Sequence, residues 1–231
     1  MNKKILVVLT NTAKYPNIKR ATGLWLGEAV HFVAPVQQAG FTVDYVSPAG
    51  GYVPIDPHSL QMAPDLDWRW YDDKAFMKRL GATLSPGEVK AEQYSAIYYT
   101  GGHGVMWDFP DNQPLQDLAR RIYEAGGVVA SVCQGAVGLL NIKLSDNTLL
   151  LRGRSVTGFS NIEEKLAELD KEVPFLTENE LGARGGEYQK AEDPWAPFVV
   201  EDGSLITGQN PASTAGVAQA VLKCLAKRKA G

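Results

Sequence analysis

Short apolar, β-branched runs alternate along the chain with segments whose apolar residues recur every three to four positions. Ile5–Leu9 is the first continuous apolar run and reads as a buried strand. Leu24–Ala39 follows with helical spacing and stops at Gly40. Phe41–Val46, Ala96–Tyr99 and Val128–Val132 are the next strand candidates, with a helix over Leu115–Ala125 ending at Gly126-Gly127. Ser155–Phe159, Phe198–Glu201 and Leu205–Thr207 read as later strands. Ser213–Lys229 reads as a closing helix whose basic end suits the negative end of the helix dipole. Alternating strands and helices, with strands apolar throughout, predict an α/β protein built on a mostly parallel sheet covered on both faces. Sites in such sheets lie beyond the carboxyl ends of the strands. That draws attention to Asn11, Gly101–Gly104, Cys133 and Thr157–Phe159.

The alternation breaks between about residues 50 and 89. This stretch is rich in Pro, Asp and Trp (Pro54, Pro57, Pro64, Asp65, Trp68, Trp70) and is too long for a plain loop, so it is expected to be a small insertion capping a single domain over 1–231. Trp68, Trp70 and Tyr71 either pack this cap or line a pocket or client surface. A length of 231 residues with 45% hydrophobic content supports a sizeable core without staples. The formal net charge of −3 gives nucleic acid or an anionic membrane little to hold. The opening Met1–Leu9 has too short an apolar run for a signal peptide, and no stretch approaches a membrane span. Two cysteines without a C-x-x-C spacing fit a reduced, cytoplasmic setting better than a disulfide framework or zinc site.

The strongest chemical signal is Val128-Val129-Ala130-Ser131-Val132-Cys133-Gln134-Gly135-Ala136. An apolar strand ends, a nucleophilic residue follows, and a helix of small residues begins, as in a nucleophile elbow. Free N–H groups at the helix start are expected to lower the thiol's pKa and to hold an oxyanion. The plainer alternative is an inert buried cysteine. Cys224, inside the last helix, takes that alternative. Gly101-Gly102-His103-Gly104 after a strand offers close backbone approach and N–H donors, or is simply a tight turn. Neither G-x-G-x-x-G nor a Walker A pattern is present. Glu28 sits among apolar neighbours, where burial raises a carboxyl's pKa; otherwise it is a solvated first-turn residue. His31 is expected to pack or face solvent, and His58 to lie at the surface. With His103 they make no metal-ligand spacing.

These motifs resemble the ThiJ/PfpI superfamily, relatives of the class I glutamine amidotransferases, and within it the heat-shock chaperone and glyoxalase III branch. The matching segments run in order along nearly the whole chain: Thr22–Glu28, Gly101–Gly104 with Trp107–Asp111, Val132-Cys133 with Gly135, Val156–Ser160, Pro174–Leu176 and Leu205–Ser213. The resemblance implies a flavodoxin-like sandwich with a small cap, and often a homodimer. It implies that Cys133 is the reactive cysteine, Glu28 its hydrogen-bonding acid, Glu164 the acidic triad member, and Gly102 with the residue 134 N–H the oxyanion donors. Gly101, Gly102, His103, Phe159 and Trp195 are expected around a substrate pocket, with Trp195 closing over Cys133. One position departs: the family usually carries His directly after the cysteine, where this chain has Gln134. An amide holds a hydrogen bond but takes no proton at neutral pH.

The activity implied is glutathione-independent conversion of methylglyoxal, or a similar 2-oxoaldehyde, to a 2-hydroxy acid through a Cys133 hemithioacetal, weakened by the missing histidine and using no cofactor or metal. Two alternatives stay open: a cysteine-dependent hydrolase or hydratase on another small substrate, and a stress protein that holds unfolded clients or senses oxidants through Cys133.

Overall fold

The computed structural model describes residues 3–227. Eight strands are present among them: β1 (Lys4–Val8), β2 (Thr42–Val46), β3 (Ala96–Tyr99), β4 (Val128–Val132), β5 (Ser155–Val156), β6 (Glu187–Tyr188), β7 (Val199–Asp202) and β8 (Leu205–Gly208). Six of these form one sheet in the order β2-β1-β3-β4-β8-β7. Its first five strands run parallel, and β7 closes the edge antiparallel to β8. The order reverses direction beside β1 and β3, so the ends of β1, β3 and β4 open onto one crevice.

Side chains alternate across this sheet with the period of a strand. Ile5, Val7, Ala96, Tyr98, Val128, Ala130 and Val132 face a layer made by α1 (Leu26–Gln38) and the closing helix. Leu6, Val8, Ile97, Tyr99 and Val129 face the other layer. The continuous apolar runs seen in the sequence are thus strands buried on both sides, and the structure is a flavodoxin-like α/β sandwich.

Three short helices, α2 (Pro57–Gln61), α3 (Asp65–Tyr71) and α4 (Lys74–Leu80), occupy the stretch that broke the alternation. Asp56 and Asp73 cap α2 and α4. Trp70 and Tyr71 pack against the core, while Trp68 stays exposed. His31 is tied to Asp67 of α3 at 2.7 Å, and His58 is exposed. The opposite layer holds α5 (Val105–Asp108), α6 (Gln113–Glu124) and a 3₁₀ helix over Cys133–Leu139. Two further helices, α7 (Asn161–Leu166) and α8 (Thr177–Ala183), precede β6. The closing helix is α9 (Thr214–Lys227). The last two residues of its expected span, 228 and 229, lie outside the described residues.

Two expectations need correction. The strand expected over Ser155–Phe159 stops at Val156 and pairs with β6 in a separate two-stranded sheet. Beyond it the chain turns inward so that the Phe159 N–H donates to the Cys133 carbonyl. The first helix begins at Leu26 rather than Leu24, because Leu24 bridges to Ile55 of the following segment.

Candidate active site

The chain leaves β4 at full burial and turns sharply at Cys133, whose φ is +57°. Such a conformation is unfavourable for a residue with a Cβ and persists only where the surroundings enforce it. Here the enforcing neighbours are the β3 turn on one side and α1 on the other. A Cβ on Gly101 would lie 2.6 Å from Glu28 Oε2, 2.9 Å from Cys133 Cβ and 3.1 Å from the Gln134 nitrogen. Only glycine lets these three groups meet. Gly102 adopts φ +97°, and a Cβ there would meet the Gly23 carbonyl at 2.2 Å.

Glu28 is carried into this point by α1. Tyr98 of β3 stacks on Phe32 and donates from its hydroxyl to the Glu28 carbonyl at 2.8 Å. The Gly101 N–H donates to Glu28 Oε2 at 2.5 Å, and the Cys133 thiol lies against the carboxyl. Its Oε1 is buried with no N–H or O–H group to meet it. Burial raises this carboxyl to about pH 8, against the smaller lowering by Cys133 and the Gly101 N–H. Of the two readings the sequence left open for Glu28, the geometry takes the buried acid over the solvated first-turn residue.

The expectation for the thiol is not met. Burial, and next the negative charge of Glu28, push Cys133 well above the ordinary thiol range, and the backbone N–H of Gln134 opposes this only in part. A helix start alone does not make a low-pKa thiol when the sulfur is removed from water. The segment after Cys133 is also a 3₁₀ helix, with a less regular N-terminus than an α-helix.

Gln134 and His103 extend the site. Cys133 Sγ donates to Gln134 Oε1 at 2.7 Å. The Gln134 amide nitrogen lies 3.3 Å from His103 Nε2, and that same nitrogen is 2.5 Å from Glu164 Oε1. The acid that resemblance implied for a triad is thus engaged by His103 rather than by the residue after the cysteine. Phe159 packs edge-on to His103 with centroids 6.2 Å apart, and Trp195 lies 5.7 Å beyond Phe159. Trp195 itself is 45% exposed at φ +66°, on the rim of this aromatic wall. Cys133 is 3% exposed.

Several contributing residues escaped sequence reasoning. Glu163 is fully buried and joins Ser160, the Trp195 N–H and Asn210, so it fixes the rim loop to α7. The spacing Ser160-x-x-Glu163 is a capping-box signature that announces part of this role. Tyr15 packs on His103 with centroids 5.8 Å apart and carried no local signal. Asp108 of α5 accepts from Thr10 and from the Asn11 N–H, tying the end of β1 to the far side of the crevice. Among the described residues, no group of three or more His, Cys, Asp or Glu side chains is placed to hold a metal ion.

A buried carboxyl against a cysteine on a forced positive-φ turn, at the carboxyl ends of a parallel sheet, makes a candidate cysteine site. The chain belongs to the DJ-1/PfpI family, which it matches over residues 21–224. It is 35% identical over 225 residues to glutathione-independent glyoxalase HSP31 of Saccharomyces cerevisiae, covering 91% of this chain and 93% of that protein. It is 29% identical to glyoxalase 3 of Candida albicans, covering 95% and 97%. Among solved structures it superposes on the Francisella tularensis rapid encystment protein of 24 kDa with a TM-score of 0.93 at 35% identity, covering 97% of this chain and 99% of that one. Glyoxalase III from Candida albicans superposes with a TM-score of 0.87 at 28% identity, covering 96% of each.

Proposed function

We propose that this protein is a glutathione-independent glyoxalase acting on methylglyoxal or a similar small 2-oxoaldehyde, with Cys133 as nucleophile and Glu28 as proton shuttle. The observation that carries this reading is the Cys133–Glu28 contact, buried and enforced by Gly101, in a chain whose relatives are named glyoxalases. The near-closed thiol favours a substrate of a few heavy atoms.

In this reading the Glu28 carboxylate takes the thiol proton as Sγ attacks the aldehyde carbon, and then hands that same proton to the aldehyde oxygen. The product is a hemithioacetal. The N–H groups of Gly102 and Gln134 hold the developing oxygen charge. Glu28, again a carboxylate, takes the proton from C1 to give an ene-diolate and returns it to C2, while the C1 hydroxyl proton passes to the C2 oxygen. The resulting thioester is released by water as lactate, which restores the thiol. Gln134 cannot share this work as a base, so the rate falls below that of a site with histidine there, by roughly 10²–10⁴-fold. We include in the proposal a single domain with residues 50–89 as its cap, and a homodimer, which light scattering after gel filtration tests directly.

The deciding experiment is lactate formation from methylglyoxal without glutathione, in the unsubstituted protein, Cys133→Ser and Gln134→His. Turnover that vanishes in Cys133→Ser and rises in Gln134→His supports the reading. Absence of turnover in all three refutes it.

A further inference from the structure

Gln134 stands between two groups that make opposite demands on it. Its Oε1 accepts from Cys133 Sγ, and its nitrogen end faces His103 Nε2, which is also 2.5 Å from Glu164 Oε1. Gln134 and Glu164 are each 2% exposed, so water is not at hand to relieve a mismatch. An amide N–H donates, and therefore suits His103 Nε2 only while that nitrogen presents a bare lone pair. The proton of the short His103–Glu164 contact then sits on Glu164. If that proton moves to Nε2, leaving Glu164 ionised, two N–H groups face one another across 3.3 Å. A half-turn of the amide removes the conflict. Oε1 then faces Nε2–H, which it shares with the closer Glu164 carboxylate, and the amide N–H points at Sγ. In the first arrangement Cys133 meets an acceptor, which favours the thiol. In the second it meets a donor, which favours the thiolate.

We propose that Gln134 is a two-position amide through which the His103–Glu164 pair sets the ionisation of Cys133. One proton crosses from Glu164 Oε1 to His103 Nε2: an O–H bond breaks, an N–H bond forms, and the amide turns. Nothing is oxidised or reduced, and the thiol proton leaves by way of Glu28. His103, Glu164 and Gln134 are positioning residues here, since none of them exchanges a proton with the substrate. The inference rests on Cys133 being the reacting group of the proposed glyoxalase. Other titratable groups face the same relay. Glu28 from α1 and Glu163 from α7 act on Cys133, and Tyr98 of β3 lies behind it. Tyr15 packs on His103 and feels Glu164 and Asp56, with Arg20 over its outer face. All of these remain in place in the variants below.

The test reads the thiol and the ring without substrate. In a Cys224→Ser background Cys133 is the one remaining thiol, and its alkylation by iodoacetamide is followed against pH. Gln134→Met and Glu164→Gln are each expected to move the midpoint up by about one pH unit, a tenfold loss of thiolate below it. The double variant moves it no further, because both act through one amide. An unchanged profile in Glu164→Gln, or additive shifts in the double variant, overturns the proposal. In the unsubstituted chain, the ¹⁵N shift of His103 Nε2 is expected to change from bare to protonated over the range in which Cys133 ionises, and Cys133→Ala abolishes that step. A ring nitrogen that keeps one state throughout overturns it as well. Absence of lactate formation alongside a shifted alkylation profile would refute the glyoxalase reading and leave the amide switch standing.

Discussion

Replacing Glu28 by glutamine separates the cost of its burial from its chemistry. The glutamine has the same shape and still offers an oxygen to the Gly101 N–H, but it does not titrate. The folded protein holds the Glu28 proton up to about pH 8, whereas an unfolded chain releases it near 4.5. Between those values the native state binds more protons than the unfolded state, so its stability falls as pH rises from about 4.5 through 8, and the loss is complete above that. At about 1.4 kcal/mol per pH unit, the loss between pH 5 and pH 7 is on the order of 3 kcal/mol, and the whole interval is worth about 5. Glu28→Gln is expected to unfold at a similar urea concentration to the unsubstituted chain at pH 5 and to become the more stable of the two as pH rises. Asp108 titrates in both proteins and cancels in the difference. Urea unfolding at half-unit intervals from pH 5 to 9 measures the effect. Two stability curves that stay parallel within about 0.5 kcal/mol would mean that Glu28 is ionised in the folded protein at pH 5, and the burial argument for this site would fail.

Three further outcomes follow from the same geometry. Gly101→Ala puts a methyl group 2.6 Å from Glu28 Oε2 and 2.9 Å from Cys133 Cβ, so overpacking is expected to cost about 1–3 kcal/mol in thermal unfolding and to abolish most lactate formation. Cys133→Gly is expected to be more stable than Cys133→Ala by about 1 kcal/mol, reversing the usual order, because the φ of +57° suits glycine; calorimetry on the pair settles it. Asp108→Ala leaves the Thr10 hydroxyl and the Asn11 N–H without their acceptor, an expected loss of about 1–3 kcal/mol in urea, with faster amide exchange at Asn11.

The parallel sheet was legible from runs such as Ile5–Leu9 and Val128–Val132, because a strand buried on both faces must be apolar at every position. The place of the site was legible for a related reason: strand ends in such a sheet share one crevice, and Gly101, Cys133 and Phe159 all lie there. Cys133 and Glu28 were named from local context, and the glycines beside them marked where backbone must come close. What the chain by itself did not determine is which polar groups meet. Glu164 lies 61 positions from His103, and no local pattern tells that acid to choose this ring rather than solvent. The thiol's environment belongs to the same class. A strand-to-helix turn suggests a lowered pKa, yet burial beside a carboxyl raises it, and burial is a sum over neighbours drawn from α1, β3 and α7. The two-residue β5 shows the limit on secondary structure: a strand exists only where a partner lies, and its partner, β6, comes more than thirty residues later. Local order follows from the spacing of apolar side chains, which the sequence carries. Hydrogen-bond partners and desolvation depend on distances between remote segments, which only the folded packing decides.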